Sequence, residues 1–348
     1  MKKLPFPFLT IIIVVGIVYY VGLSQSSKES KASKISHLAC YVAGGNRLLD
    51  LFEIQTPPDD SIYFIDTSWK WITENAVTIN PRQACAVESA ARSNPSHQTY
   101  LMYMSLGLIE NETTLSGKLL HTLIKIKNVN LLWLNFPRLL KGTIVEELYT
   151  SGKIQSSKFP VNTASNIARL LLLLKFGGIY LDLDFVIIKS FGDLASNFAV
   201  AESGSAVNNA VLRSTLNGSG KEFIRGCLEE LQNHFVGNAW GKNGPVIVTK
   251  VLKEMCNVKK IKEMYHKNCS GITVYPPDYF YPISYKNWKF YFDNGHEKDL
   301  HYVLEKSHGI HLWNKFSKDA RSHSDESIYR VIAKKYCPQV YSIASEYF

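Results

Sequence analysis

The chain lacks both glycine-rich signatures that cradle phosphates: neither GxGxxG nor GxxxxGK[ST] occurs. A dinucleotide-binding dehydrogenase and a P-loop nucleotidase therefore lose their main support. Like charges never run to five or six in a row, so the excess of 39 Lys and Arg over 30 Asp and Glu is no nucleic-acid-binding tail. A basic face toward anionic headgroups or an anionic substrate fits that excess better. Six cysteines in 348 residues are too few for a disulfide-built miniprotein, 21 Gly and 13 Pro too few for a collagenous or low-complexity chain. No internal repeat points to a solenoid. What is present is 46% apolar residues, enough for a large α/β core with appendages.

Residues 5–23, PFPFLTIIIVVGIVYYVGL, form an uncharged apolar run of the roughly 20 residues that cross a bilayer. A cleaved signal peptide fits less well, because the run exceeds an h-region of about 7–15 residues and no small-x-small site closes it. Lys2 and Lys3 precede it, so residues 1–4 are expected as a cytoplasmic tail and everything after residue 23 across the membrane, a single-pass type II topology. The Ser/Lys-rich tract SQSSKESKASK opens a stem expected over 24–60, leaving 61–348 as one luminal domain. Asn111, Asn217 and Asn268 begin glycosylation sequons, which matter only in the secretory lumen. Of the six cysteines, only Cys256 and Cys269 are close enough to suggest a pair.

Apolar patterning inside the domain alternates strand-like with helix-like segments. SIYFIDTS (61–68), TYLMYMS (99–105) and VNLLWLN (129–135) read as strands, with helices at 82–93 behind Pro81 and near 118–127. That alternation predicts a parallel sheet covered by helices, a Rossmann-like half with right-handed crossovers.

Chemistry concentrates between Asn162 and Ser190. Thr163 is expected to cap a helix carrying five consecutive leucines and ending at Gly177-Gly178. The strand expected next puts Tyr180, Asp182 and Asp184 on one face. Two carboxylates about 7 Å apart on an apolar strand are costly unless a cation lies beside them, and hard oxygen ligands favour Mn²⁺ or Mg²⁺. Asn166 and Arg169 share a face of the preceding helix, and the guanidinium suits a diphosphate.

Arg169, seven residues, then GGIYxDxD resembles the donor-site signature of DxD sugar-nucleotide glycosyltransferases with the GT-A fold. CAVESAAR (85–92), AWGKNGPVIVTKVL (239–252), YPPDYFYPISYKNW (275–288) and HLWNK (311–315) stand in the order found in the α1,4-glycosyltransferases typified by lactosylceramide 4-α-galactosyltransferase. The likeness runs from about Ser61 to Cys337.

The resemblance implies that Asp182 faces ribose and metal, that Asp184 ligates the metal, and that Tyr180 and Arg169 belong to the donor site. It also implies that Asn208-Asn209 lies near the sugar. One departure stands out: the family usually carries Asp where this chain has Asn166, an amide without the charge. His311 of the H-x-W is either a third metal ligand or diphosphate contact, or a packed core histidine. Asp66 either holds base or ribose or, with Ser68 as the alternative, caps a helix. Trp240, Tyr281 and Trp288 can stack on sugars, although core packing suits each better. The expected enzyme is a retaining, metal-dependent hexosyltransferase of the Golgi membrane that moves α-galactose in 1,4-linkage from UDP-galactose to a glycosphingolipid such as lactosylceramide. Transfer of N-acetylgalactosamine or N-acetylglucosamine to glycolipid or glycoprotein, and a luminal sugar-binding protein without turnover, are the alternatives.

Overall fold

A computed structural model describes residues 48–68, 76–105, 107–109, 111–322 and 324–348. The segments expected as tail and anchor lie outside the described residues, as does the stem up to residue 47. Among the described residues no helix is long and apolar enough to cross a membrane. Residues 48–60, expected as the end of the stem, pack on the domain instead. Asp50 bridges to Trp133 and pairs with Arg138 at 3.2 Å, Leu51 is buried, and Asp60 pairs with Arg213 at 2.8 Å. The folded unit thus begins before Ser61.

In chain order the strands are β1 (Ile62–Asp66), β2 (Ala76–Val77), β3 (Thr99–Tyr103), β4 (Leu108–Ile109), β5 (Val129–Trp133) and β6 (Gly178–Leu181). They continue with β7 (Phe185–Ile187), β8 (Phe198–Ala201), β9 (Val207–Ser214), β10 (Asn268–Cys269), β11 (Ile272–Tyr275) and β12 (Gly309–His311). The central sheet runs β10-β11-β8-β9-β6-β1-β3-β5. β1 is parallel to β3 and β6, and β3 to β5, so the expected parallel half is present. Its other half is mixed, because β9 lies antiparallel between β6 and β8. Both faces are covered. Along β1, Ile62 and Phe64 enter one core and Tyr63 and Ile65 the other, which is why the strand reads as continuously apolar.

Helix Pro81–Ser93 starts as its sequence suggests: Asn80 and Gln83 form a reciprocal capping box and Pro81 sits at the first position. Helix Pro160–Phe176 starts earlier than expected. The Thr163 N–H already bonds to the Phe159 carbonyl at 2.9 Å, so Thr163 is a buried residue one turn inside and not the cap. The leucine run then fills one core face. Gly177 and Gly178 follow with φ of 65° and 90°, and a Cβ on Gly178 would collide with the Ser61 carbonyl oxygen. Only glycine lets β6 lie this close to the start of β1.

Two disulfides are present, Cys256–Cys269 as expected and Cys85–Cys337, which joins the first long helix to the chain's last turns across 252 residues. Cys227 is a buried free thiol, pushed up in pKa by that burial.

Candidate active site

β6 stops at Leu181, so Asp182 and Asp184 do not continue its face as the period-two pattern predicts. The Asp182 N–H still bonds to Ala210 of β9 at 2.9 Å, but its carbonyl accepts from the Phe185 N–H at 3.2 Å and closes a turn. The chain then leaves the central sheet as β7. That departure serves the site, because β7 pairs antiparallel with β12 and sets His311 opposite Phe185, one residue from Asp184.

Three potential ligands converge there. Atoms of Asp182, Asp184 and His311 lie within 4.8 Å of one another. His311 Nε2 stands 3.1 Å from Asp184 Oδ1, and the Asn314 N–H donates to Asp184 Oδ2 at 2.9 Å. To present that N–H, Trp313 takes a left-handed conformation with φ of 56°, unusual for a bulky side chain and costing about 1–3 kcal/mol. Its ring packs edge-on to His311 at 4.3 Å and its indole N–H donates to Ile283. His311 is 7% exposed and ringed by aromatics, and its Nε2 also reaches a carboxylate.

Arg169 and Tyr180 stand behind Asp182. Tyr180 Oη donates to Asp182 Oδ1 at 2.7 Å and Arg169 Nη1 lies 3.1 Å from the same oxygen. Arg169 also donates to the Asn209 carbonyl and to Ser165, and its guanidinium lies over the Tyr180 ring at 4.5 Å. Its side chain is 4% exposed against 29% for Asp182. Arg169 therefore fixes Asp182 while lining both lobes of the cleft.

Charges in the cluster are strongly shifted. Burial would lower the His311 pKa, but Asp184, through its charge and hydrogen bond, outweighs it and holds the imidazole above its ordinary value. Burial would raise Asp184, and His311 and the Asn314 N–H bring it below the carboxylate norm. Asp182 goes the other way, raised by burial against Arg169 with Asp184 adding repulsion. The two adjacent carboxylates are thus pushed in opposite directions by different neighbours, Asp182 by burial and Asp184 by His311.

The cluster forms the floor where two lobes of one cleft meet. The smaller, about 530 Å³, runs past Ile65, Thr67, Lys158, Phe159 and Tyr180. The larger, about 780 Å³, holds Glu202, Asn208, Asn209, Trp240 and His311. Asp182, Asp184 and Arg169 line both. Asn166 Oδ1 accepts from Asn209 Nδ2 at 2.9 Å, and a Cβ on Gly244 would press to 2.9 Å from both atoms, so glycine lets the 239–252 segment close over this amide pair.

Two family models match in succession: a glycosyltransferase sugar-binding region containing the DXD motif over residues 80–202, and an alpha 1,4-glycosyltransferase conserved region over 216–344. The rat lactosylceramide 4-alpha-galactosyltransferase is 31% identical over 267 residues, 76% of this chain and 71% of its own length. The chain belongs to the alpha 1,4-glycosyltransferase family. The human alpha-1,4-N-acetylglucosaminyltransferase is 25% identical over 337 residues, covering 95% of this chain and 91% of its own. Among solved structures, the galactosyltransferase LgtC with donor and acceptor sugar analogues aligns over 82% of this chain and 96% of its own at 14% identity and a TM-score of 0.42.

For a glycosyltransferase of this family, the remaining expected positions divide. Asn166, Tyr180 and Asn208 lie in or beside the cleft with the carboxylates. Asp66 does not line it: its carboxylate accepts from the Ser68 N–H at 2.7 Å and from Gln83 at 3.3 Å, while Ile65 and Thr67 face the smaller lobe. Tyr281 is core, Trp288 packs against the core, and Trp240 stands at the cleft 48% exposed. Glu202 was missed. It is a third carboxylate of the larger lobe, held by Asn208 Nδ2 at 2.6 Å, with a pKa raised by burial against that hydrogen bond. Only its place at the end of β8, one residue past an apolar strand, hinted at it.

Proposed function

We propose that this enzyme moves an α-linked galactose, in 1,4-linkage with retention, from UDP-galactose to the terminal sugar of a glycosphingolipid such as lactosylceramide. The observation that carries it is the Asp182–Asp184–His311 cluster at the meeting point of two lobes, which allows nucleotide and acceptor to approach one reacting centre from opposite sides. Relatives named for galactosyl transfer to lactosylceramide support the donor and acceptor. A second reading, N-acetylglucosamine transfer, is supported by the relative that aligns over 95% of the chain.

The residues fit a divalent cation. Two carboxylates and an imidazole are an oxygen-and-nitrogen donor set, and His311 Nδ1 is buried with no hydrogen-bond partner among the described residues. Mn²⁺ is the proposed ion, Mg²⁺ the substitute, held by Asp182, Asp184 and His311. When bound, it supplies Lewis acidity to the departing diphosphate.

The chain's own residues do the rest. Tyr180 and Arg169 lock the Asp182 rotamer, and Asn314 and His311 lock Asp184, so neither carboxylate reorganises during the reaction. Lys158 lines the smaller lobe and offers an ammonium to phosphate. In the larger lobe Glu202 stabilises positive charge growing on the sugar ring, consistent with same-face departure and attack. Golgi residence as a type II protein belongs to the same proposal. Asn111, Asn217 and Asn268 are all exposed and available for glycans.

A panel of UDP-sugars tested against lactosylceramide and other glycolipids, with product linkage read by NMR, tests the proposal. Exclusive use of an N-acetylhexosamine donor would replace the galactose reading with the second one. Recovery of an unglycosylated protein lacking residues 1–23 would defeat the localisation.

A further inference from the structure

Exposed apolar surface gathers at the mouth of the larger lobe. Four of the nine large apolar side chains exposed among the described residues, Trp240, Val246, Tyr285 and Phe316, line it. Two of them touch directly, and Lys315 connects a third to Phe316. Tyr285 and Phe316 stack at 5.8 Å, and the Lys315 ammonium lies 4.3 Å over the Trp240 ring, linking one wall of the cleft to the other. Exposed apolar side chains are ordinarily scattered singly, and a rim of them marks a surface that meets something.

Charge is sorted along the same axis. The carboxylates of this lobe, Asp182, Asp184 and Glu202, lie toward the floor and none is fully exposed, whereas Lys242, Lys315 and Lys318 are all exposed. Aromatic rings mixed with lysine, with no exposed acid among the side chains lining the lobe although Asp319 beside Lys318 is exposed, match the interfacial zone of a bilayer, where amphipathic rings sit at headgroup level and ammonium groups meet phosphates. A sugar-stacking subsite would use the rings but has no use for outward lysines.

We propose that the mouth of the cleft seats on the surface of a phospholipid bilayer, so that the acceptor glycan enters the larger lobe directly from the headgroup plane. This rests on the reading of a membrane-borne glycolipid acceptor.

The test uses the full chain reconstituted in phosphatidylcholine vesicles whose acyl chains carry bromine, a contact-range quencher of indole. Wild-type tryptophan emission is expected to be quenched in part, and Trp240→Phe to lose that part; equal quenching of both proteins overturns the proposal whatever sugar is transferred. In unbrominated vesicles, transfer from UDP-galactose to embedded lactosylceramide is compared with transfer to free lactose. The double variant Val246→Ser/Phe316→Ser is expected to lose roughly ten-fold on the embedded acceptor and to keep the wild-type rate on lactose. Equal loss on both acceptors would make the rim a sugar subsite and no loss on either an idle surface, and each outcome overturns the proposal. If the wild type uses neither acceptor, the functional reading fails and quenching alone decides the docking.

Discussion

Two acidic centres of this domain, Glu88 and the Asp182–Asp184 pair, are built to different ends. Glu88, on helix Pro81–Ser93, is fully buried. One oxygen accepts from Arg92 at 2.6 Å and from the Gln339 N–H at 3.1 Å, the other from the Val340 N–H at 2.8 Å. Fixed donors saturate it, so its charge costs little and has nothing further to bind. Asp182 and Asp184 instead lie side by side at the floor of the cleft with His311, their ligand atoms within 4.8 Å of one another and both carboxylates lining both lobes. A buried charge with all its partners in the protein is structural; one left short of positive charge at an open edge is a site.

Asp184→Asn should separate the two centres most sharply. It preserves shape and leaves an amide oxygen for the Asn314 N–H, so we expect a folded protein and a loss of roughly a thousand-fold in kcat, matched by chelator treatment of the wild type. Full activity of the variant in chelator would remove the metal from the reaction. Glu88→Gln should do the reverse, lowering unfolding free energy by about 3 kcal/mol because an amide NH₂ then faces backbone donors, while activity per folded molecule holds. Calorimetric or urea unfolding together with an active-site count would show it; lost turnover at full folding would make Glu88 part of the site.

His311→Ala should weaken metal affinity about 10- to 100-fold, measured by calorimetric titration, with the fold kept. It should also flatten a pH dependence. A His311 pKa above 6.5 gives the metal-free protein a stabilising contribution that is complete below the unfolded value and lost as pH rises through the folded one. Metal uptake runs oppositely, improving over that window as the imidazole gives up its proton. A variant with unaltered affinity and pH profile would leave His311 as packing. The smallest effect is expected from Asn166→Asp, a shift of about three-fold in the ratio of turnover with UDP-galactose to that with UDP-N-acetylgalactosamine, because the residue meets Asn209 and reaches the sugar through that pair. An unchanged ratio places donor selection elsewhere.

Much of the saturated and much of the open centre were legible to different degrees in the sequence. Asp182, Asp184, Tyr180 and Arg169 fall within sixteen residues, and local spacing alone brings them together, even though the strand carrying them breaks into a turn. His311 stood out only through its motif, since β7–β12 pairing, not local spacing, delivers it. Glu202 and Asn208 converge because β9 runs antiparallel, a direction that apolar periodicity does not encode. Nothing local marks Glu88, since its backbone partners come from the far end of the chain. Pro81, by contrast, announced its helix start because a first-turn proline is a local signal.

The long reach from the first helix to the last has a consequence for synthesis. Arg82 donates to the Ser317 carbonyl at 2.6 Å and to that of Ala320, and Glu88 waits for Gln339 and Val340. Until those residues leave the ribosome, the nascent domain holds one cation and one anion in helix Pro81–Ser93 without their backbone partners, and Cys85 without Cys337. Completion therefore waits for residues 317–340, however early the parallel strands form. A chain lacking residues 337–348 keeps every ligand of the DxD cluster, yet Glu88 loses two backbone donors and Cys85 its disulfide partner, leaving a free thiol for quality control.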